Sequence, residues 1–327
     1  MAKRTIKNIG VFTSGGDSPG MNAAIRAVVR TALYYDIKVT GILRGYDGMI
    51  GGDFLPMERK SVANIIQRGG TFLKTARSDD FRTKEGREKA YQQLKAQNID
   101  ALVAIGGDGT FTGAKIFLEE FDIPVIGLPG TIDNDLLGTD FTIGYDTAIN
   151  TVIEAVDKIR DTAESHDRLF IVEVMGRDSG LIALRSGIGT GAEAILIPET
   201  KTDIKALLSR LEVSRRDKSS KIIIVAEGDD AGGAFEIAKS VKNKFPFIDT
   251  RVSVLGHIQR GGAPTCMDRV LASRLGVAAV ESLREGRNGE MIGIVHGKIH
   301  FTPFSQAIKH NKDVNSELLK IVEILSL

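Results

Sequence analysis

Residues able to do chemistry gather in a few short runs. Thr13-Ser14-Gly15-Gly16-Asp17-Ser18-Pro19-Gly20 follows an apolar run and leads into a helical pattern. Glycines let a backbone approach a bulky anion, and free N–H groups at a helix start favour negative charge. The same residues also suit a tight βα turn, with Ser18 as N-cap and Pro19 opening the helix. Gly106-Gly107-Asp108-Gly109-Thr110 comes directly after Ala101–Ile105. Here Gly-Gly admits a polyphosphate and Asp108 suits Mg²⁺, directly or through water; a plain helix-capping aspartate is the other reading. Pro129-Gly130-Thr131-Ile132-Asp133-Asn134-Asp135 places two carboxylates and an amide after a third apolar run. Phosphoryl transfer to an alcohol needs a carboxylate to take the hydroxyl proton and cations to offset phosphate charge. Read as extended, that run alternates Asp133 and Asp135 across the backbone; the competing reading is a turn rich in Asx side chains.

Arg77, Arg82, Arg168, Arg177, Arg251 and Arg260 stand near strand ends or in loops. His257-Ile258-Gln259-Arg260-Gly261-Gly262 puts a histidine and an arginine on one loop, suited to a phosphate monoester. No Walker A pattern occurs, and Gly187-Ile188-Gly189-Thr190-Gly191 matches a dinucleotide fingerprint only in part. The residues therefore describe a kinase without a P-loop, acting on a hydroxyl of a phosphorylated small molecule. Its donor is a nucleotide or another polyphosphate.

Elements at regular intervals must position these loops. Candidate strands are Ile9–Thr13, Val39–Leu43, Ala101–Ile105, Pro124–Leu128, Leu169–Val174, Ala194–Ile197, Ile222–Ala226, Val252–Leu255 and Met291–Val295. Runs apolar on successive residues suit strands covered on both faces. Helical spacing marks Met21–Tyr35, Ile149–Arg160 and Asp268–Glu285, with Ile25, Val28, Val29, Ala32 and Leu33 of the first facing inward. Repeated strand–helix–strand implies parallel, doubly wound sheets of α/β class, whose carboxyl ends bind ligands. A length of 327 residues suits about two domains, and glycine-rich strand ends in both suggest a site gathered from the two.

Composition removes other classes. With 43 Lys plus Arg against 42 Asp plus Glu, the net charge of +1 gives no footprint for a nucleic-acid binder. The single cysteine, Cys266, cannot form an internal disulfide or a multi-cysteine zinc site, which suits a cytoplasmic protein. No stretch reaches the ~20 apolar residues of a membrane helix, and the first residues turn polar too soon for a signal peptide.

Together the loops resemble bacterial ATP-dependent 6-phosphofructokinases of the glycolytic type. The matching runs, in order, are 13–30, RGGTFLKTAR (68–77), IGGDGT (105–110), GLPGTIDND (127–135), VEVMGR (172–177), VAEG (225–228) and VLGHIQRGG (254–262). The resemblance implies two doubly wound, mainly parallel-sheet α/β domains. The larger, for ATP and Mg²⁺, takes residues 1–143 plus 258–308; the smaller, for the sugar phosphate, takes 144–257 plus 309–327. Asp133 is then the general base for the 1-hydroxyl of fructose 6-phosphate, Asp108 serves Mg²⁺, and Asp135 assists. Gly16 and Arg77 stabilise the transferring γ-phosphoryl, and Ser78, Gly107, Gly109 and Thr110 line the ATP site. Thr131, Ile132, Met175, Gly176, Arg177 and Glu227 contact the sugar, and the His257-Ile258-Gln259-Arg260 run holds its 6-phosphate. Arg168 and Arg251 match arginines that reach that phosphate from a neighbouring subunit, which implies a homotetramer.

The resemblance also bears on donor and regulation. Pyrophosphate-dependent relatives carry an acid at the Gly109 position and a lysine at Gly130, so two glycines favour ATP. An effector pocket for ADP and phosphoenolpyruvate matches Arg26, Arg30, Arg59, Arg160, Gly191, Ala192, Glu193, Arg216 and Lys218. Ser219 and Ser220 stand where relatives have more positive charge, and Ser78 where an aromatic commonly lies beside adenine. The competing functions are a pyrophosphate-dependent phosphofructokinase, a lipid or NAD kinase sharing only GGDGT, and a non-catalytic sugar-phosphate sensor.

Overall fold

The computed structural model describes residues 6–213, 221–308, 314 and 316–325. Eleven strands are described: β1 (Asn8–Thr13), β2 (Lys38–Ile42), β3 (Phe54–Met57), β4 (Ala101–Gly106), β5 (Val125–Pro129), β6 (Leu169–Val174), β7 (Ala194–Leu196), β8 (Lys221–Ala226), β9 (Thr250–Val254), β10 (Glu290–Val295) and β11 (Lys298–Pro303). The chain divides into two compact units, 1–147 with 260–312 and 148–259 with 313–327.

The larger unit holds a seven-stranded sheet in the order β11-β10-β5-β4-β1-β2-β3. Its five inner strands are parallel to their neighbours, while β3 and β11 pair antiparallel at the two edges. The parallel strands are the ones that apolar runs predicted. Both edge strands escape that pattern, because β3 carries Pro56 and β11 alternates exposed with covered residues.

Side chains alternate across the pleat, so each inner strand feeds two cores. Ile9, Val11, Val103, Ile105, Ile126 and Leu128 pack beneath helices Met21–Tyr34 and Cys266–Glu285. Phe12, Leu102, Ala104 and Val125 pack on the opposite face with Phe111 and Phe117 of helix Asp108–Phe121. On the Met21 helix Ile25, Val28, Val29 and Ala32 are fully buried and Leu33 packs against their cluster, as the spacing predicts. The two covering helices touch closely: a Cβ on Gly276 would lie 2.6 Å from that of Ala27.

The smaller unit holds a wholly parallel sheet, β7-β8-β6-β9. Ile171, Ile223 and Val225 form its core with Leu207, Leu211, Ile237 and Val241 from flanking helices. The strand order decides where chemistry lies. β5, β4 and β1 are adjacent, with Thr13 opposite Ile105 and Gly106 opposite Pro129. The three runs that follow them therefore leave the carboxyl end of the sheet side by side, at the ~4.8 Å spacing of neighbouring strands. In the smaller unit Val174 is opposite Ala226, and β9 lies beside β6, so the runs after β6, β8 and β9 are neighbours too.

Candidate active site

In the larger unit, side chains of one loop hold the backbone of the next. Thr110, buried, donates its hydroxyl to the Ser14 carbonyl at 3.0 Å. Tyr46 in turn donates its hydroxyl to the Thr110 carbonyl at 2.6 Å, and burial pushes that phenol's pKa up. Thr75 donates to the Gly15 carbonyl, and Asn22 donates to the carbonyls of Arg68 and Gly69 while accepting from the Phe72 amide. Gly106 sits where these loops cross: a Cβ there would be 2.3 Å from Thr110 Oγ1 and 2.5 Å from the Ser14 carbonyl.

Both phosphate-suited loops run into helices, but neither is capped as a bland turn would be. The first helix begins at Met21 after Gly20, which is left-handed, and Ser18 is not its N-cap. The second begins at Asp108, with Gly107 as N-cap and no side-chain cap bond. Asp108 is thus the first helical residue, one position past the N-cap, and is half-buried. Gly109 is exposed, and a Cβ there would meet nothing within 4 Å. Gly130 is buried, and a Cβ would come within 3.0 Å of Ile105 and of the Met21 methyl. A side chain at 109 has open space, whereas one at 130 needs its neighbours to move.

The Pro129–Asp135 run is not extended. Asn134 has a φ of 54°, and its side chain accepts from the Thr142 amide and donates to the Asp140 carbonyl. This left-handed turn, which only Gly, Asn and Asp adopt readily, replaces the expected alternation of Asp133 with Asp135. Thr142 donates to the Thr131 carbonyl at 2.6 Å, and the Asp133 amide donates to Thr131 Oγ1. Asp133 is 6% exposed, Ile132 is fully buried, and Thr131 and Asp135 are half-buried.

Arg260 lies against the first loop. Its guanidinium nitrogen is 2.2 Å from where a Gly16 Cβ would be, and it donates to the Asp17 carbonyl at 3.2 Å. Glycine at 16 is what leaves room for it. Arg77 is exposed, and Ser78 accepts from the Phe81 amide, closing a short turn; Phe81 itself stacks inward on Tyr46 at 3.9 Å. A buried Arg87 clamps that turn, donating to the carbonyls of Phe81 and Arg82 and, through two bonds, to Glu120. The Arg87 bond holds the Glu120 carboxyl below its ordinary pKa.

The smaller unit supplies the remaining candidates. Glu227 accepts from the amides of Gly176 and Arg177, at 3.3 and 2.8 Å, locking the Met175–Arg177 loop to its own. Gln259 is fully buried, accepting from the Met175 amide and donating to the Gly256 carbonyl, while His257 and Ile258 are exposed. Arg168 and Arg251 converge on Asp249, Arg168 at 2.6 Å. The Arg168 bond holds that carboxyl below its ordinary pKa, with Arg251 adding to the pull.

Among the effector candidates, Arg26 and Arg30 share a helix face; burial, then repulsion from Arg30, lowers the Arg26 pKa. Arg59 is exposed beside Lys60. Arg160 donates to the Thr190 carbonyl next to Gly191 and Ala192. Glu193 is buried and accepts from the Ile222 amide. Arg216 and Lys218, with Ser219 and Ser220, lie outside the described residues. Gly187–Gly189 closes a helix rather than a first βα turn. Among the described residues no group of three acidic, histidine or cysteine side chains could hold a metal, and no helix is long and apolar enough to cross a membrane. Asn22, Tyr46, Thr75, Thr142 and Asp249 were not singled out in sequence. Only their polar character inside apolar or glycine-rich runs hints at them.

Comparison with known proteins agrees across the chain. A model of the family described as Phosphofructokinase matches residues 8–283. ATP-dependent 6-phosphofructokinase 2 of Bacteroides thetaiotaomicron is 56% identical over 324 residues, 99% of each chain. ATP-dependent 6-phosphofructokinase 1 of Thermus thermophilus is 57% identical, covering 98% of this chain and all of that one. Among solved structures, phosphofructokinase from Saccharomyces cerevisiae aligns with a TM-score of 0.89 at 39% identity, over 98% of this chain. This chain spans about half, 48%, of that yeast chain.

Proposed function

The chain belongs to the phosphofructokinase family, and we propose that it transfers the γ-phosphoryl group of ATP to the 1-hydroxyl of fructose 6-phosphate in glycolysis. One observation carries the reading: two anion-suited helix starts and the Asp133 loop follow adjacent parallel strands at the carboxyl end of one sheet. Asp133 takes the hydroxyl proton as that oxygen bonds to the γ-phosphorus; the bond to the bridging oxygen breaks, and ADP leaves. Thr131 and Asp135 assist it. Gly16, Arg77, Ser78, Gly107, Gly109 and Thr110 receive the nucleotide. Asp108 would hold Mg²⁺, which would offset charge on the transferring group. Room beside Gly109 supports ATP over pyrophosphate as donor.

Ile132, Met175, Gly176, Arg177 and Glu227 are assigned to the sugar, and His257, Ile258, Gln259 and Arg260 to its 6-phosphate. Gln259, buried and already bonded, acts by shaping its loop. Arg168 and Arg251 would reach the 6-phosphate of a neighbouring subunit in a homotetramer. Asp249 holds the two together until a phosphate replaces it. ADP and phosphoenolpyruvate are the proposed effectors, at Arg26, Arg30, Arg59, Arg160 and Gly191–Glu193, and the enzyme is placed in the cytoplasm.

Asp133→Ser tests the base directly. It is expected to lower kcat by roughly 10² to 10⁴ while changing the KM for fructose 6-phosphate no more than about threefold. Near-normal turnover would remove Asp133 from that role.

A further inference from the structure

Within the larger unit two helices begin side by side, one at Tyr145 and one at Cys266. Thr265-Cys266-Met267-Asp268 has the form of a capping box, in which the fourth residue turns back to the first. Asp268 does not turn back. Its carboxylate, 1% exposed, accepts from the Gly144 and Thr147 amides at 2.8 Å each and from the Thr147 hydroxyl. Thr147 Oγ1 in return accepts from the Thr265 amide at 3.0 Å. Thr265 Oγ1 accepts from the Asp268 amide and donates to Asp146 at 2.6 Å. Each helix start thus supplies an acceptor for the other's leading amides, in addition to the local cap that Thr265 makes to Asp268.

Three chemistry-bearing segments end on this knot. The run from Thr131 passes through Thr142, which holds the Thr131 carbonyl, and Ile143, whose amide donates to the Pro129 carbonyl, to Gly144. The first glycine loop ends at Gly20, whose Cβ, if present, would be 3.6 Å from Asp268 Cβ. The segment after Arg260 runs through Gly262 to Thr265, and Gly262 packs on Gly69, where a Cβ would be 2.2 Å from its carbonyl.

We propose that Asp268 and Thr147 are positioning residues for phosphoryl transfer, tying the general-base loop, the first glycine loop and the Arg260 segment to one buried junction. This rests on the kinase reading above. The reacting atoms must align to within about an ångström, and a misplacement of that size costs about 10²-fold in rate. In Asp268→Asn one carboxylate oxygen becomes an NH₂ facing an amide donor, so the exchange cannot close on both sides. Thr147→Val keeps the shape and removes only the hydroxyl.

The test is steady-state kinetics on the full-length enzyme with fructose 6-phosphate, ATP and Mg²⁺, well below each variant's unfolding temperature. Hydrogen exchange of the amides from 131 to 135 is followed alongside. Asp268→Asn is expected to lose about 10²-fold in kcat and Thr147→Val about tenfold, with both KM values within about threefold and faster exchange at 131–135. If Asp268→Asn does not fold, Thr147→Val decides alone. A folded Thr147→Val with parental kcat and parental exchange at 131–135 overturns the proposal. An inactive parent enzyme would instead overturn the kinase reading, and the exchange result would still report whether the junction holds the loop.

Discussion

The strand-end loops of the two units are held in different ways. In the larger unit, neutral side chains from one loop bond the backbone of another: Thr110 to Ser14, Tyr46 to Thr110, Thr75 to Gly15, Thr142 to Thr131. Most of these side chains are buried or half-buried, so the loops are fixed before any ligand arrives. In the smaller unit charged side chains dominate: Glu227 gathers two amides, and Arg168 and Arg251 share Asp249 at a partly open surface. Chemistry that depends on alignment needs the first kind of support, since preorganised dipoles need not reorganise during reaction. Capturing a phosphate needs the second, because an exposed ion pair in water contributes little and is readily exchanged for a better partner.

That contrast can be broken by experiment. The largest effect is expected from Thr110→Val, which keeps side-chain shape and leaves the buried Ser14 carbonyl without its hydroxyl donor. The lost bond costs about 1–3 kcal/mol, and kcat should fall about 10²-fold as the two glycine loops part. Steady-state kinetics at saturating substrates reads it; a change confined to KM would place Thr110 with the gripping residues instead. Glu227→Ala should do the reverse, raising the KM for fructose 6-phosphate about tenfold with kcat within about threefold. A kcat loss as deep as that of Thr110→Val would erase the distinction between the units.

The smallest effect is at the clamp behind Ser78. Arg87 holds Glu120 below its ordinary pKa, so this pair's stabilisation is fully present above the ordinary glutamate range, near pH 4.3, and is lost as pH falls through the lowered value. Glu120→Gln keeps one acceptor oxygen and should lower stability at neutral pH by only about 0.5–1 kcal/mol while flattening the acid limb of the unfolding curve. Thermal melts from pH 7 to pH 3 read both, and parallel curves for parent and variant would remove Glu120 from the clamp.

Much of this was legible before the structure. Inner parallel strands are apolar on successive residues, so β1, β4, β5, β6 and β8 announce themselves, and the glycine-rich runs that follow them mark the edge where ligands bind. The edge strands did not, since β3 and β11 are half-covered and each includes a proline, Pro56 within β3 and Pro303 at the end of β11. The turn at Asn134 was hidden because an asparagine between two aspartates reads equally as strand or turn, and the choice is made by Thr142, eight residues on. Bonds such as Asp268 to Gly144 join residues more than a hundred positions apart. Local patterns carry no trace of them: Thr265–Asp268 reads as its own capping box, and only the fold redirects the carboxylate to another helix.

The most direct test of the account gives purified protein fructose 6-phosphate and Mg²⁺ with ATP or with pyrophosphate, following fructose 1,6-bisphosphate itself. The account predicts product with ATP and none above background with pyrophosphate. Turnover with pyrophosphate alone would contradict the donor reading drawn from Gly109 and Gly130, and silence with both donors would contradict the kinase.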